Sequence, residues 1–128
     1  MFVVSTHPDI FAVSTENFTT TVLEASHQRP ILVDFWADWC APCRALSPQL
    51  ERVIADLNGQ IHLATLEVDE GDNMREAGRY QVRGFPTVML FHYGLEIARF
   101  SGARSRHQIR EWLQQQLGAT LVFLHSTE

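Results

Sequence analysis

The chain contains no lysine at all, and all ten of its basic residues are arginine. Cysteine is almost as scarce, with only Cys40 and Cys43. No apolar run is long enough to cross a membrane as a helix, since the longest stretches are strand-length. Fifteen acidic residues against ten basic ones leave a net charge of −5, which argues against nonspecific nucleic-acid binding. Repeats and low-complexity linkers are missing, so solenoid and linker-joined architectures are excluded. The start, Met1-Phe-Val-Val-Ser, lacks the basic flank and long apolar core of a signal peptide, and a cytoplasmic location is the default expectation. With 128 residues, 45% of them hydrophobic, one domain with one core is expected.

The two cysteines stand three positions apart in Trp36-Ala-Asp-Trp-Cys40-Ala-Pro-Cys43, directly after the apolar run Ile31–Trp36. That run is short, partly β-branched and aromatic at its end, which predicts a buried strand. Leu46, Leu50, Val53, Ile54 and Leu57 then follow a helical period, and Pro42 suits a first turn, where no amide donor is needed. Cys40 therefore falls at a strand-to-helix junction, where free amides and the positive end of the helix dipole favour a thiolate. Thiolates are the species that attack disulfides. Cysteines at i and i+3 of a helical turn share a face and can bond to each other. Cys40 is expected to be the exposed nucleophile and Cys43 to resolve the mixed disulfide.

Two other readings of the pair compete. A structural zinc site needs four ligands, whereas the six histidines (His7, His27, His62, His92, His107 and His125) lack ligand spacing. No metal is therefore expected. A static disulfide would close so small a loop that it adds little stability. In a reducing compartment a lone pair of this kind points to catalysis or metal binding rather than structure.

Along the chain, Ser14 or Thr15 is expected to cap a helix reaching about Ala25. Asn58-Gly59 marks a turn, Ile61–Val68 alternates as a strand, and Asp72 or Asn73 is expected to cap a short helix to about Tyr80. Thr87–Phe91 and Leu95–Phe100 read as strands joined by a Tyr93-Gly94 turn. Ser105-x-x-Gln108 is a capping box opening a final helix, and Gly118 stops it. The alternation predicts an α/β fold with a mixed sheet and helices on both faces. Arg104, Arg106 and Arg110 read as a solvated helix face. Asp34 interrupts an otherwise apolar strand, so burial should raise its pKa and fit it to move protons; an inert hydrogen-bonded aspartate is the alternative.

Val33-Asp-Phe-Trp-Ala37, Trp39-Cys-Ala-Pro-Cys43, Pro48, Arg83-Gly-Phe-Pro-Thr87 and Ser101-Gly-Ala103 stand in an order that closely resembles the thioredoxin family, over roughly residues 10–117. The resemblance implies the thioredoxin fold, a central mixed β-sheet flanked by helices on both faces. It also implies a protein disulfide reductase working in cell redox homeostasis by dithiol–disulfide exchange at Cys40 and Cys43. No cofactor is bound on this reading; electrons come from NADPH through a flavin-dependent thioredoxin reductase, and the partners are that reductase and disulfide-containing clients. A monomer is expected. The resemblance makes Asp34 the general base for Cys43, through water, and makes the Phe85-Pro86 bond cis, with Pro86 beside the sulfurs. Trp39, Ala41, Pro42, Gly84, Phe85, Gly102 and Ala103 would form the substrate groove.

The chain departs from the family in four places. Ala41-Pro42 replaces the usual glycine and proline, which bears on the redox potential. Thr65 stands where a lysine is common near the buried aspartate, so Asp34 is expected to titrate higher than in the family. Between Asp69 and Tyr80 the chain is about two residues longer than usual, which should alter only a loop and a helix start. Residues 1–118 are expected to form one domain, and 119–128 a tail of unknown role. Its apolar Thr120–Leu124 segment has four readings: prolonging the last helix, covering a surface, mediating self-association, or remaining partly ordered. A chaperone that holds unfolded clients is the alternative function, and an oxidase or isomerase a third.

Overall fold

The computed structural model describes residues 7–123. Five strands form one sheet: β1 (Ile10–Ala12), β2 (Ile31–Trp36), β3 (His62–Glu67), β4 (Thr87–His92) and β5 (Leu95–Ser101), in the order β1-β3-β2-β4-β5. β1, β3 and β2 run parallel, while β4 and β5 are antiparallel additions. The mixed sheet carries helices on both faces, as expected. On one face lie α1 (Ala41–Leu57) and α3 (Arg106–Leu117), whose Leu46, Leu50, Ile54, Ile109 and Leu113 pack with Leu32, Val88 and Leu90. On the other, α2 (Met74–Arg79) and a π-helical segment, Thr19–Glu24, bring Ala77, Phe18 and Val22 against Val33, Phe35 and Phe91. Each large aliphatic side chain buried this way contributes roughly 1.5–3 kcal/mol.

The central strand is buried along five of its six residues because it is covered on both faces. α1 begins where expected, with Cys40 at its N-cap and proline in its first turn, and ends on Asn58 in the left-handed region. Tyr93 and Gly94 both take positive φ, the conformation that a tight hairpin between twisted strands requires. The capping box of Ser105 and Gln108 forms, and Gly118 follows the last residue of α3.

Three local expectations differ from the structure. β1 was not anticipated; it is only three residues long, and its register against Leu63–Thr65 defines it more than its own pattern does. The first helix starts at Thr19, not at Ser14 or Thr15, because Thr15 bonds across the fold: its amide donates to Asn73 Oδ1 at 2.8 Å and its hydroxyl to Glu76 Oε1 at 2.7 Å. The same bond removes Asn73 as a side-chain cap for α2. Asn73 instead accepts from Thr15 and donates to the Glu67 carbonyl at 3.0 Å, anchoring the segment that follows β3.

Beyond Gly118, Leu121 and Phe123 pack against the α1–α3 cluster. Gln60 pairs with both the amide and the carbonyl of Val122, at 3.0 and 2.6 Å. One 3-10 turn, Gly118–Thr120, continues directly from α3, and the segment beyond it through Phe123 covers a surface; Leu124 and the rest of the tail lie outside the described residues. The Arg110 guanidinium sits 4.2 Å over the Phe123 ring. Arg106 and Arg110, expected on a solvated face, instead converge on the buried Asp56. Arg106 grips it in bidentate fashion at 2.7 and 2.8 Å, and Arg110 reaches it at 3.3 Å. Removing one member of such a buried set leaves the others uncompensated. Asp56→Ala should therefore lower stability by roughly 3–5 kcal/mol, measured by denaturant unfolding, while disulfide exchange at temperatures where the variant stays folded is unaltered.

Candidate active site

β2 delivers the chain to the end of the sheet at Trp36, and a short loop of Ala37, Asp38 and Trp39 turns it into α1. The Cys40 amide donates to the Ala37 carbonyl at 3.1 Å, closing that turn. Cys40, with extended backbone angles, then occupies the N-cap, where the Cys43 amide donates to Cys40 Sγ at 3.2 Å. A cap position usually filled by an oxygen acceptor is here filled by sulfur. Cys40 and Cys43 are joined as a disulfide, with Cα atoms 5.3 Å apart.

Both cysteines are covered, Cys40 at 4% exposure and Cys43 at 2%. The expected contrast between an exposed and a buried cysteine is therefore small in the disulfide form. What separates the sulfurs is their surroundings: only Cys40 Sγ receives a helix-terminal amide, and it lies 3.5 Å from the Phe85 carbonyl oxygen. In the reduced state that amide favours negative charge on Cys40.

The Phe85-Pro86 bond is cis, and Pro86 is buried. Its carbonyl accepts from the Gly102 amide at 2.9 Å, and the Thr87 hydroxyl donates to the Gly84 carbonyl at 2.6 Å. Gly102 adopts φ 87°, a conformation that favours glycine. Trp39 is 66% exposed and stands edge-on to Phe85, with ring centroids 6.1 Å apart. Ala41, Pro42 and Gly84 are exposed beside them. The structure thus brings Trp39, Cys40, Cys43, Phe85, Pro86 and Gly102 into one region through direct contacts.

Asp69 was not anticipated from the sequence. It accepts the Trp39 indole N–H at 2.6 Å and so holds the exposed ring in place. An acid just past the end of β3 was the available signal, but nothing local linked it to Trp39. Burial, followed by the charges of Glu70, Asp38 and Asp69, raises the pKa of Glu67, which marks this side of the site as acidic.

Asp34 is 3% exposed, and its Oδ1 has no hydrogen-bond partner among the described residues. Strand alternation puts it on the face of Leu32, the face that α1 covers. No hydrogen bond joins it to either cysteine. Burial alone raises its pKa from 3.8 to about 7, with no cation offsetting the cost. Across β2 and β3 it pairs with Thr65, and across β2 and β4 with Val88. Among the described residues, no group of three His, Cys, Asp or Glu side chains is arranged to hold a metal, and no helix is long and apolar enough to cross a membrane.

The thioredoxin family model matches residues 9–115, nearly the whole described chain. The chain belongs to the thioredoxin family. Among similar proteins, the thioredoxin of Acidithiobacillus ferridurans is 39% identical over 108 residues, covering 84% of this chain and 96% of that protein. The thioredoxin of Mycolicibacterium smegmatis is 38% identical over 106 residues, covering 83% and 93% respectively. That of Pseudomonas aeruginosa is 38% identical over 108 residues, covering 84% and 96%. Family membership and a Cys-x-x-Cys pair at bonding distance make the protein a thiol–disulfide oxidoreductase acting on disulfide-containing substrates. A thioredoxin needs no bound cofactor, because the two sulfurs carry the electrons themselves. Nothing in the match or in the geometry favours the chaperone alternative.

The raised pKa of Asp34 has a consequence for stability. Between its unfolded value near 4 and its folded value near 7, the folded state binds more protons than the unfolded state, so this group's contribution to stability falls as pH rises through that window. The full cost above pH 7 is up to about 4 kcal/mol. Asp34→Asn should therefore stabilise the protein at pH 8 by roughly 2–4 kcal/mol and by much less at pH 4, measured by chemical denaturation at both values. Equal gains at both pH values would contradict it.

Proposed function

We propose that the protein reduces client disulfides in the cytoplasm, as a monomer, with Cys40 as nucleophile, Cys43 as resolving thiol and Asp34 as general base. The reading rests most on one observation, the Cys43 amide donating to Cys40 Sγ at the N-terminus of α1. Residues 1–118 act as the single domain, and the following segment serves to cover the α1–α3 face.

In the first step the Cys40 thiolate attacks one sulfur of the client disulfide. An intermolecular disulfide forms, and the other client sulfur leaves as a thiolate that takes a proton from water. In the second step Asp34 accepts the Cys43 proton, directly or through water, and the Cys43 thiolate attacks Cys40 Sγ. The Cys40–Cys43 bond forms and the bond to the client breaks, its sulfur leaving as a thiolate that takes a proton from water. Two electrons have then passed to the client, which leaves as a dithiol. An aspartate titrating near neutral pH suits this role, because it is both ionised enough to accept a proton and basic enough to hold one. Trp39, Ala41, Pro42, Gly84, Phe85 and Gly102 form the surface on which an extended client segment lies. Pro86 shapes the wall beside the sulfurs, and the neighbouring backbone is left to pair with the client. The dithiol is restored by electrons from NADPH through a flavin-dependent thioredoxin reductase.

NADPH-coupled reduction of insulin with such a reductase tests the scheme. The protein should turn over rapidly and Cys40→Ser should be inactive, whereas activity surviving in Cys40→Ser would overturn the assignment. Asp34→Asn should fold normally and turn over about a hundredfold more slowly at pH 7, the low end of what a positioned general base supplies.

A further inference from the structure

The wall beside the sulfurs leads to an arginine that the fold leaves without a counter-charge. The Gly102 amide is bonded to the Pro86 carbonyl at 2.9 Å, so Gly102, Ala103 and Arg104 continue from the wall that Phe85 forms against Cys40 Sγ. Arg104 is the last residue before Ser105, the cap of α3. Its guanidinium lies over the Phe100 ring, 4.3 Å from the centroid. Phe100 is buried and meets Trp112 edge-on, with centroids 4.9 Å apart, so the ring is a fixed platform. Arg104 is half-buried, yet it makes no hydrogen bond or ion pair among the described residues. By contrast Arg44, Arg79, Arg99, Arg106 and Arg110 each bond to a carboxylate or a carbonyl. Arg83, which leads into the same wall, is exposed and has no ring beneath it among the described residues.

A guanidinium stacked by its face keeps its N–H donors around its edge, in the planar fork that matches a carboxylate. Holding that fork on a fixed ring lowers the entropy lost when a ligand is captured. The opposite side of the site carries the other sign. Trp39 is bonded to Asp69 at 2.6 Å, and Asp38, Asp69 and Glu70 are exposed around it. An extended client crossing the proposed surface would meet acids toward Trp39 and an unpaired cation toward Ala103. A client carboxylate is repelled on the first side and matched on the second.

We infer that Arg104 is a specificity-determining residue that receives an acidic side chain of the client, so that preferred clients are extended segments with Asp or Glu close to the reacting cysteine on the side toward Ala103. Each extended residue advances about 3.3 Å, which puts that acid within about three residues of the cysteine. The inference rests on the proposed client surface and on Cys40 as nucleophile.

The test uses short peptides with one cysteine capped as its 2-pyridyl disulfide, and Glu or Gln placed in turn at each of the three neighbouring residues on either side. The pre-reduced full chain is mixed with each peptide. The Cys40 thiolate attacks the peptide sulfur, the bond to the pyridyl sulfur breaks, and the released pyridinethione, which takes up one proton, is followed by absorbance. The readout is the ratio of second-order rate constants for the Glu and Gln peptides. At positions on one side of the cysteine the ratio should be about threefold to fivefold in favour of Glu, the upper range for an exposed ion pair, and on the other side it should fall below one. Arg104→Met keeps an apolar cover on Phe100 and removes the charge, and should bring the favourable ratio to about one. Arg104→Glu should invert it. A ratio near one at every position of the wild-type protein, or a preference for Glu that persists in Arg104→Met, would overturn the role of Arg104 and leave the proposed reduction standing. Reaction of Cys40→Ser at the wild-type rate would overturn the proposed reduction itself.

Discussion

The cost of keeping one carboxyl, Asp34, inside an apolar sheet is the constraint around which the rest of this structure is arranged. An ionised carboxylate without a partner is strongly disfavoured in such a setting, and a pKa near neutrality is how the fold accommodates it. Other buried acids in the molecule are treated differently. Asp56 is held by two arginines, and Glu76 by the Thr15 hydroxyl with Arg79 at 3.6 Å. Asp34 alone among these three lacks such compensation. In a chain with ten arginines, several of them used to neutralise other acids, that contrast supports the proposed proton-transfer role of Asp34.

The second requirement is a sulfur whose charge is favoured where a client can meet it, and backbone geometry meets it. Strand β2 must stop at the sheet's end, and α1 must start there with unsatisfied amides. Placing Cys40 at the cap gives the sulfur one of those amides as a donor, and the 5.3 Å separation of Cα atoms brings Cys43 to bonding distance. The wall opposite is supplied from distant sequence, by the Phe85 carbonyl and by Trp39, whose orientation depends on Asp69. Pairing of β4 with β2 and of β4 with β5 carries that wall, so the apolar cores on the two faces hold the sulfurs and the proposed client surface in fixed relation.

Much of this was legible in the sequence because the strongest signals were local. The β2 run, the helical spacing from Leu46 to Leu57, the Ser105 capping box and the Tyr93-Gly94 turn each act over a few residues, and all formed as expected. What escaped was decided by residues far apart. β1 is too short to have a pattern of its own, and Thr15 gave up a local cap for Asn73 and Glu76, 58 and 61 residues away. Arg110 looked like a surface residue until Asp56 and Phe123 closed on it. At the site, the cysteines and the buried aspartate could be named from residue type and position. That Thr65 lies near Asp34 was already implied by the family resemblance, and the strand register pairs the two; the support of Trp39 by Asp69, 30 residues away, is encoded in no short window of sequence.

The proposed proton transfer depends on the ionisation of one buried group, and that can be observed without reference to activity. Following the Asp34 carboxyl carbon by NMR while the oxidised protein is titrated would give its midpoint directly. The account predicts a midpoint near pH 7, moved there by burial. A midpoint near 4, that of an aspartate in water, would show that the carboxyl is solvated or paired, and would remove the physical basis for assigning it proton transfer.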